Sequence, residues 1–195
     1  MDIDGHIASR IRMVDKLSDF DAVIATGSDS TSQYFRKYFS KVPNIIRGHR
    51  NSVAWLTGEE DRQDLIKLGE DVYSYFGLGC RNVSMILIPK KYDLGSLLGV
   101  WDEEYYYVRN NTRYNNNYEY RLAVSMLNAM KFRQSETLLL IESDSIASNL
   151  STLHYSFYED QKELDSFHQE HKEKIQCIVG PQPITGMPGT SFGSS

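Results

Sequence analysis

The sequence is short of the features that mark several large classes of protein. Only two of its 195 residues are cysteine, and they stand in unrelated contexts, which favours a reduced, cytoplasmic protein over a disulfide scaffold. No run approaches the ~20 apolar residues of a membrane span, and no signal-peptide pattern is present. The net charge of −5 leaves no polybasic footprint for nucleic acid. Neither cysteine lies near a histidine in ligand spacing, so we expect no metal.

Short apolar runs alternate with helix-like patterns along the chain. The runs that predict strands are Phe20–Ala25, Ser52–Leu56, Met85–Ile88, Glu136–Glu142, Leu153–Tyr158 and Ile175–Gly180. Helical spacing predicts helices at Ser32–Phe39, in the segment leading up to Phe76, from Leu94 to Trp101, and at Tyr118–Phe132 and Asp160–Lys174. This alternation predicts an α/β architecture with a mostly parallel sheet.

The middle of the chain is rich in tyrosine and asparagine. Asp102–Asn117 is polar, and its asparagines favour turns, so we predict a loop there. In the helix that follows, Leu122, Met126, Leu127 and Met130 form an apolar stripe. We expect this stripe to face the core, because methionine commonly fills gaps in a packed interior.

Cys80 stands in the segment that carries the most chemical information, Phe76–Ser84. Two closely spaced glycines precede it, a helical pattern ends before them, and a strongly apolar run follows. Such a turn presents a thiol at the mouth of a cleft, where Arg81 and nearby N–H groups favour the nucleophilic thiolate. A cysteine beside a strand is also often a small core residue. Both interpretations stay open for Cys80, whereas Cys177 is expected in the core.

A second candidate site follows the first predicted strand. Thr26, Gly27 and Ser28 join that strand to a helix, and a helix that begins at a strand end directs free N–H groups at an anion such as a phosphate. The same residue types are ordinary helix N-caps, so that interpretation stands beside the first. Arg47 and His49 flank a glycine and form either an anion contact or a solvated basic loop.

Three segments, in their order along the chain, are similar to one known family. Phe20–Ser30, Ile46–Thr57 and Gly69–Ser84 resemble the long-chain acyl-CoA reductases, which belong to the aldehyde dehydrogenase superfamily and include the fatty-acid reductase of bacterial luminescence. Ile175–Gly180 and Ser191–Gly193 resemble that family's late strand and its Pro-Phe-Gly segment. The resemblance implies reduction of a long-chain acyl-CoA to a fatty aldehyde, with NADPH or NADH as cofactor.

The resemblance also implies roles for individual residues. Cys80 matches the nucleophile that holds the acyl group as a thioester. Asn82 and the backbone near Cys80, including Gly79, are expected close to where the oxyanion would need donors, although the superfamily's better-known oxyanion asparagine lies upstream of the segments matched here. The positions that match cofactor-binding segments are Thr26, Gly27, Ser28, Phe192 and Gly193.

One departure from the superfamily concerns a catalytic base. Many aldehyde dehydrogenases carry a glutamate in a Glu-Leu-Gly-Gly segment upstream of the cysteine, whereas this chain has Ile46–His49, which contains no acid. A base that activates water would hydrolyse the thioester, so its loss favours reduction over hydrolysis.

The resemblance predicts how the chain is divided. Residues 1–45 are expected to form the end of a cofactor-binding domain, residues 46–180 the catalytic domain, and residues 181–195 a C-terminal loop. The family's first half has no counterpart here, so the chain is expected to be a catalytic-side portion. A homo-oligomer and a partner chain that supplies the missing half both stay open, as do a non-catalytic remnant of the fold and a cysteine hydrolase.

Overall fold

The computed structural model describes residues 9–27, 29–47, 51–181 and 189–194. The chain divides into two compact units, Met1–His49 and Arg50–Ser195, and the division falls slightly after the boundary predicted from the resemblance. Ser28 and His49, two of the predicted site residues, lie outside the described residues, and of Arg47 only the backbone is described. The predicted functions of the two units stay predictions.

The first unit contains a small parallel sheet. Strand β1 (Val23–Thr26) pairs with β2 (Asn44–Arg47), and helix α1 (Asp29–Tyr38) joins them. The predicted strand and helix are thus confirmed. Val23 is buried, whereas Ile24 is 79% exposed, because neighbouring side chains point to opposite faces of a strand.

The second unit is built on a six-stranded sheet. Its strands are β3 (Asn51–Trp55), β4 (Val83–Pro89), β5 (Phe132–Gln134), β6 (Leu139–Glu142), β7 (Thr152–Tyr158) and β8 (Ile175–Val179). Their order in the sheet is β5-β6-β7-β4-β3-β8. Its α-helices are α2 (Arg62–Tyr73), α3 (Leu94–Tyr105), α4 (Thr112–Leu127) and α5 (Gln161–His171). Only β5 runs antiparallel to its neighbour. The predicted α/β class with a mostly parallel sheet is confirmed.

The core lies on both faces of this sheet. Ile86 and Ile88 of β4 pack on one face in the cluster that includes Trp101. Met85 and Leu87 point to the opposite face, where Leu164 of α5 covers them. Strand β4 is buried on both faces, which explains why its sequence is an unbroken apolar run. Within the residues that the structure describes, no helix is long and apolar enough to cross a membrane.

Helices α2 and α3 pack closely because α2 carries a glycine at the contact. The Trp101 indole donates to the Leu65 carbonyl at 2.8 Å, and the Tyr105 hydroxyl donates to the Ile66 carbonyl at 2.6 Å. A Cβ at Gly69 would lie 2.2 Å from the Tyr105 ring, so only glycine leaves room for both bonds.

We expect Gly69→Ala to lower the free energy of unfolding by roughly 1–3 kcal/mol, because the Tyr105 ring must move and lose its hydrogen bond. Gly99 in α3 is the matched control, since an added Cβ there meets nothing within 4 Å. Gly99→Ala should stabilise the chain by roughly 0.5–1 kcal/mol, as usual in a helix. Urea denaturation followed by circular dichroism measures both, and a shift of the same sign in both variants would contradict this account of the helix contact.

The predicted loop at Asp102–Asn117 is wrong. Helix α3 continues to Tyr105, a 3-10 helix spans Tyr106–Asn110, and α4 begins at Thr112. The Asn111 side chain accepts hydrogen bonds from the N–H groups of Arg113 and Tyr114 at 3.0 and 3.1 Å. Asparagine therefore acts here as a helix N-cap, a role that its turn-forming preference does not distinguish from a loop.

The expected burial of the methionine stripe is also wrong. Met126 and Met130 are exposed, and Leu127 is 86% exposed. Tyr114 and Tyr118 form the buried face of α4 instead, and their hydroxyls donate to the carbonyls of Thr137 and Ser135. Burial raises the pKa of both tyrosines, so the two hydroxyls stay neutral donors.

Candidate functional site

The thiol turn follows the end of α2. The helix ends at Tyr73, a 3-10 helix spans Ser74–Gly77, and β4 begins at Val83. Between them the Asn82 N–H donates to the Gly79 carbonyl at 3.0 Å, which places Cys80 at the tip of a tight turn. The order predicted from the sequence (helix, glycine turn, cysteine, buried strand) is therefore confirmed.

Cys80 is exposed, which excludes the core interpretation for this residue. It opens into a cleft of about 460 Å³. The cleft is lined by Glu70, Asp71, Ser74, Tyr75, Gly79, Cys80, Arg81, Asn82 and Gly193. Arg81 contributes a positive charge, and Glu70 and Asp71 contribute two acidic groups that no motif in the sequence indicates.

Asn82 holds the turn against the end of α2. Its Oδ1 accepts a hydrogen bond from the Gly79 N–H at 2.7 Å, and its Nδ2 donates to the carbonyls of Asp71 and Ser74, each at 2.9 Å. A side-chain amide has two N–H groups, and both are directed at the helix end. In this structure Asn82 thus caps α2, and its predicted contribution to an oxyanion site stays a prediction.

Gly79 leaves room for the Asn82 side chain but offers no free hydrogen-bond donor. Its N–H is already bonded to Asn82, and a Cβ at this position would lie 2.6 Å from the Asn82 Oδ1. The free donors of the turn are the backbone N–H groups of Cys80 and Arg81, which bond to no group in the described part of the chain. They belong to Cys80 itself and to the residue that follows it, and a contribution of these groups to an oxyanion site stays a prediction.

The C-terminal segment supplies one wall of the cleft. The Gly193 N–H donates to the Asp71 carboxylate at 2.7 Å, although the two residues are 122 positions apart. Thr190 anchors the same segment through a bridge to Val179 at the end of β8. Gly193 therefore lines the Cys80 cleft. The Phe192 ring is buried in the core and does not line the cleft.

Asp71 is the residue of this site that sequence patterns miss. It is only 4% exposed, although a carboxylate in a helix usually faces solvent. Its partner Gly193 comes from a distant part of the chain, so no local spacing indicates the contact. The neighbouring Tyr73 is also buried and bonds to Thr137 Oγ1 at 2.7 Å, and burial raises its pKa well above the usual value.

The predicted cofactor turn belongs to the first unit. Thr26 ends β1, Gly27 follows it, and the Ser32 hydroxyl donates to the Gly27 carbonyl at 3.3 Å. A Cβ at Gly27 would lie 2.9 Å from Thr31 Cγ2, so the strand and the helix approach closely at this glycine. That Thr26 and Gly27 share a site with Cys80 stays a prediction.

Metal ligation finds no support among the described residues. No group of three or more histidine, cysteine, aspartate or glutamate side chains lies close enough together there to hold a metal ion. The chemistry available at the cleft is that of a thiol, two backbone donors, an arginine and two carboxylates.

Comparison with known proteins gives matches in structure only. No protein-family model matches the sequence, and neither does any curated protein. The structure is similar to the aldehyde dehydrogenase KauB from Pseudomonas aeruginosa, with a TM-score of 0.56, 11% identity, and coverage of 82% of this chain and 40% of that one. It is similar to the NAD-dependent aldehyde dehydrogenase from Sinorhizobium meliloti, with a TM-score of 0.58 and 9% identity over 82% and 38% of the two chains.

A third solved structure, the betaine aldehyde dehydrogenase of Staphylococcus aureus in complex with NAD+, matches with a TM-score of 0.57 and 12% identity. It too is covered over 38% of its length by 82% of this chain. The chain therefore spans about two fifths of the length of the solved structures that it matches. Over that part, it has the fold of the aldehyde dehydrogenases.

Proposed function

We propose that this chain carries the thiol-bearing part of an oxidoreductase that reduces a long-chain acyl-CoA to a fatty aldehyde. The observation that carries the proposal is the exposed Cys80 thiol, on a turn held by Asn82, in a fold shared with aldehyde dehydrogenases. A cysteine thiolate suits this reaction because it attacks a carbonyl readily and forms a covalent intermediate that divides a difficult step into two easier ones.

The first step transfers the acyl group to the protein. The Cys80 thiolate attacks the carbonyl carbon of the acyl-CoA, the new Sγ–C bond forms, and the C–S bond to CoA breaks. CoA leaves as a thiolate that takes up a proton from solvent. Between bond formation and bond cleavage the carbonyl oxygen is negative, and the N–H groups of Cys80 and Arg81 are free to stabilise it.

The second step reduces the thioester. A nicotinamide cofactor, NADPH or NADH, supplies a hydride when bound. Thr26 and Gly27 would hold it, since a close strand-to-helix approach at a glycine and the start of the ten-residue helix α1 fit a phosphate group. The part of this chain's own residues would be to hold the acyl carbon on Sγ and, when the aldehyde leaves, to take back the electron pair of the Sγ–C bond as the Cys80 thiolate.

A cysteine hydrolase is the second candidate, and one observation favours it. Glu70 is an exposed acid in the same cleft as Cys80, although the sequence offers no acid at Ile46–His49. A carboxylate that activates water beside the thioester would release the free acid instead of retaining the acyl group. The two candidates therefore differ in how long the acyl-Cys80 thioester survives in the absence of a nicotinamide.

Incubation of the chain with dodecanoyl-CoA, without nicotinamide, tests both candidates. We expect one acyl group per chain by intact mass and one CoA released, with the adduct persisting until NADPH or NADH is added. Continuous release of free dodecanoic acid would instead establish the hydrolase. If neither an acyl adduct nor free acid forms, both candidates are contradicted and the non-catalytic remnant is favoured. Peptide mapping assigns the adduct to Cys80 or Cys177.

A further inference from the structure

Tyr75 adopts a backbone conformation that disfavours its residue type. Its φ and ψ angles of 51° and 28° lie in the left-handed region, and Phe76 and Gly77 continue the same turn with φ angles of 58° and 76°. Glycine occupies this region freely, whereas a residue with a Cβ is destabilised there. A tyrosine at position 75 therefore weakens the turn relative to a glycine.

Among the described residues, the Tyr75 side chain makes no contact that offsets this strain, although its carbonyl accepts a hydrogen bond from the Leu78 N–H at 3.2 Å. Phe76 packs against Tyr114, with ring centroids 6.3 Å apart, so its strained backbone is offset by burial. The Tyr75 ring is 83% exposed, and within the described residues its hydroxyl has no hydrogen-bond partner. A strained residue whose side chain is exposed and unbonded is a candidate for a role in binding.

The position of the ring indicates what it contacts. Tyr75 lines the Cys80 cleft, and a Cβ built at Gly79 would lie 4.0 Å from the Tyr75 ring, so the ring lies alongside the residue that precedes the thiol. Leu78, in the same turn, is also exposed and apolar. The turn thus presents apolar surface beside Cys80, while Glu70 and Arg81 contribute the charged part of the cleft.

We propose that Tyr75 is a specificity-determining residue of the Cys80 cleft, whose ring forms the apolar wall along which the aliphatic chain of the substrate lies. The inference rests on the proposed thioester chemistry and deepens it by assigning the preference for a long chain to one side chain. When an aliphatic chain covers exposed apolar surface beside a reactive group, the burial of that surface favours binding. A short or polar acyl group would not use this contact.

Alkylation by two haloacetamides tests the inference without requiring the proposed reaction. Iodoacetamide transfers a carboxamidomethyl group to a thiolate, and N-octyl iodoacetamide transfers the same group with an octyl chain on its nitrogen. Each reaction releases iodide. At each cysteine, the rate of alkylation by N-octyl iodoacetamide is divided by the rate of alkylation by iodoacetamide. The measured quotient is this ratio at Cys80 divided by the same ratio at Cys177. In Tyr75→Gly we expect this quotient to fall roughly five- to tenfold, the effect of removing one large apolar contact.

Two further variants serve as controls. Tyr75→Phe keeps the ring and should retain the wild-type quotient, and Tyr106→Ala removes an exposed tyrosine that does not line the cleft and should leave it unchanged. The urea midpoint of Tyr75→Gly should be unchanged or higher, because glycine relieves the left-handed backbone. A quotient that is equal in wild type and Tyr75→Gly would overturn the inference.

The proposed function fails separately from this inference. If the wild type captures no acyl group from dodecanoyl-CoA, the thioester mechanism is refuted whatever the alkylation quotient. If it captures the acyl group but Tyr75→Gly keeps the octyl preference, the mechanism stands and the role of Tyr75 is refuted.

Discussion

Replacing Cys80 with alanine is expected to abolish capture of an acyl group from acyl-CoA. The sulfur is the atom that forms the new bond, and no other cleft residue offers a thiol. The adduct should be undetectable by intact mass, while the free energy of unfolding should change by less than about 0.5 kcal/mol, because Cys80 is exposed. Loss of the adduct at unchanged stability would separate a chemical role for Cys80 from a structural one.

Cys177→Ala is the matched control. This cysteine is half-buried within β8, its Sγ lies 2.9 Å from the Thr190 hydroxyl oxygen, and it does not line the Cys80 cleft. The variant should therefore retain full acyl capture. Equal capture by Cys80→Ala and wild type, or equal loss in both variants, would contradict the assignment of Cys80 as the nucleophile.

The layout of the thiol turn was predictable because its determinants are local. Gly77 and Gly79 mark the turn, and the apolar run that follows marks the buried strand β4. The central strand is covered on both faces, so its sequence lacks alternation and stands out. These features lie within about fifteen consecutive residues, so they can be recognised from the sequence alone.

The walls of the cleft were not predictable in the same way. Asp71 contacts Gly193 across 122 positions, and nothing near either residue indicates the other. The position of Asn82 close to Cys80 in sequence predicts a role at the thiol, but its amide is bonded to the end of α2, a role that depends on how the chain folds back. Contacts of this kind arise from tertiary packing rather than from spacing.

The errors around α4 have a different cause. Asparagine favours both loops and helix N-caps, and only the capping geometry at Asn111 distinguishes the two. Methionine and tyrosine both suit a half-buried helix face. The tyrosines are buried here because the Ser135 and Thr137 carbonyls accept hydrogen bonds from their hydroxyls, which leaves Met126 and Leu127 exposed.

Asn82→Ala is expected to lower the free energy of unfolding by roughly 2–4 kcal/mol, because it removes hydrogen bonds to Gly79, Asp71 and Ser74 in a largely buried place. Asn82→Asp is a sharper variant. It keeps the acceptor for the Gly79 N–H, but it turns a carboxylate oxygen towards carbonyl oxygens that have lost their donor. We therefore expect a loss of stability at neutral pH at least as large as in the alanine variant, measured by urea denaturation.

The pH dependence of Asn82→Asp follows from the same geometry. The carbonyl oxygens disfavour the ionised aspartate, which raises its pKa in the folded state above the unfolded value of about 3.9. The neutral form regains an O–H donor, so stability relative to wild type should recover as the pH falls towards about 4. Asn128→Asp is the control: Asn128 also donates to a helix carbonyl, at 2.9 Å from Val124 O, but it is exposed, and its change should stay within about 0.5 kcal/mol.

These variants also decide between two roles for Asn82. If the side chain holds the turn, Asn82→Ala loses stability, and acyl capture falls because the Cys80 and Arg81 N–H groups lose their fixed positions. If it is an oxyanion donor, as the sequence resemblance implies, Asn82→Ala keeps its stability and loses only the rate of acyl capture. The hydrogen bonds to Asp71 and Ser74 leave no amide N–H for a ligand, and on this ground we expect the first result.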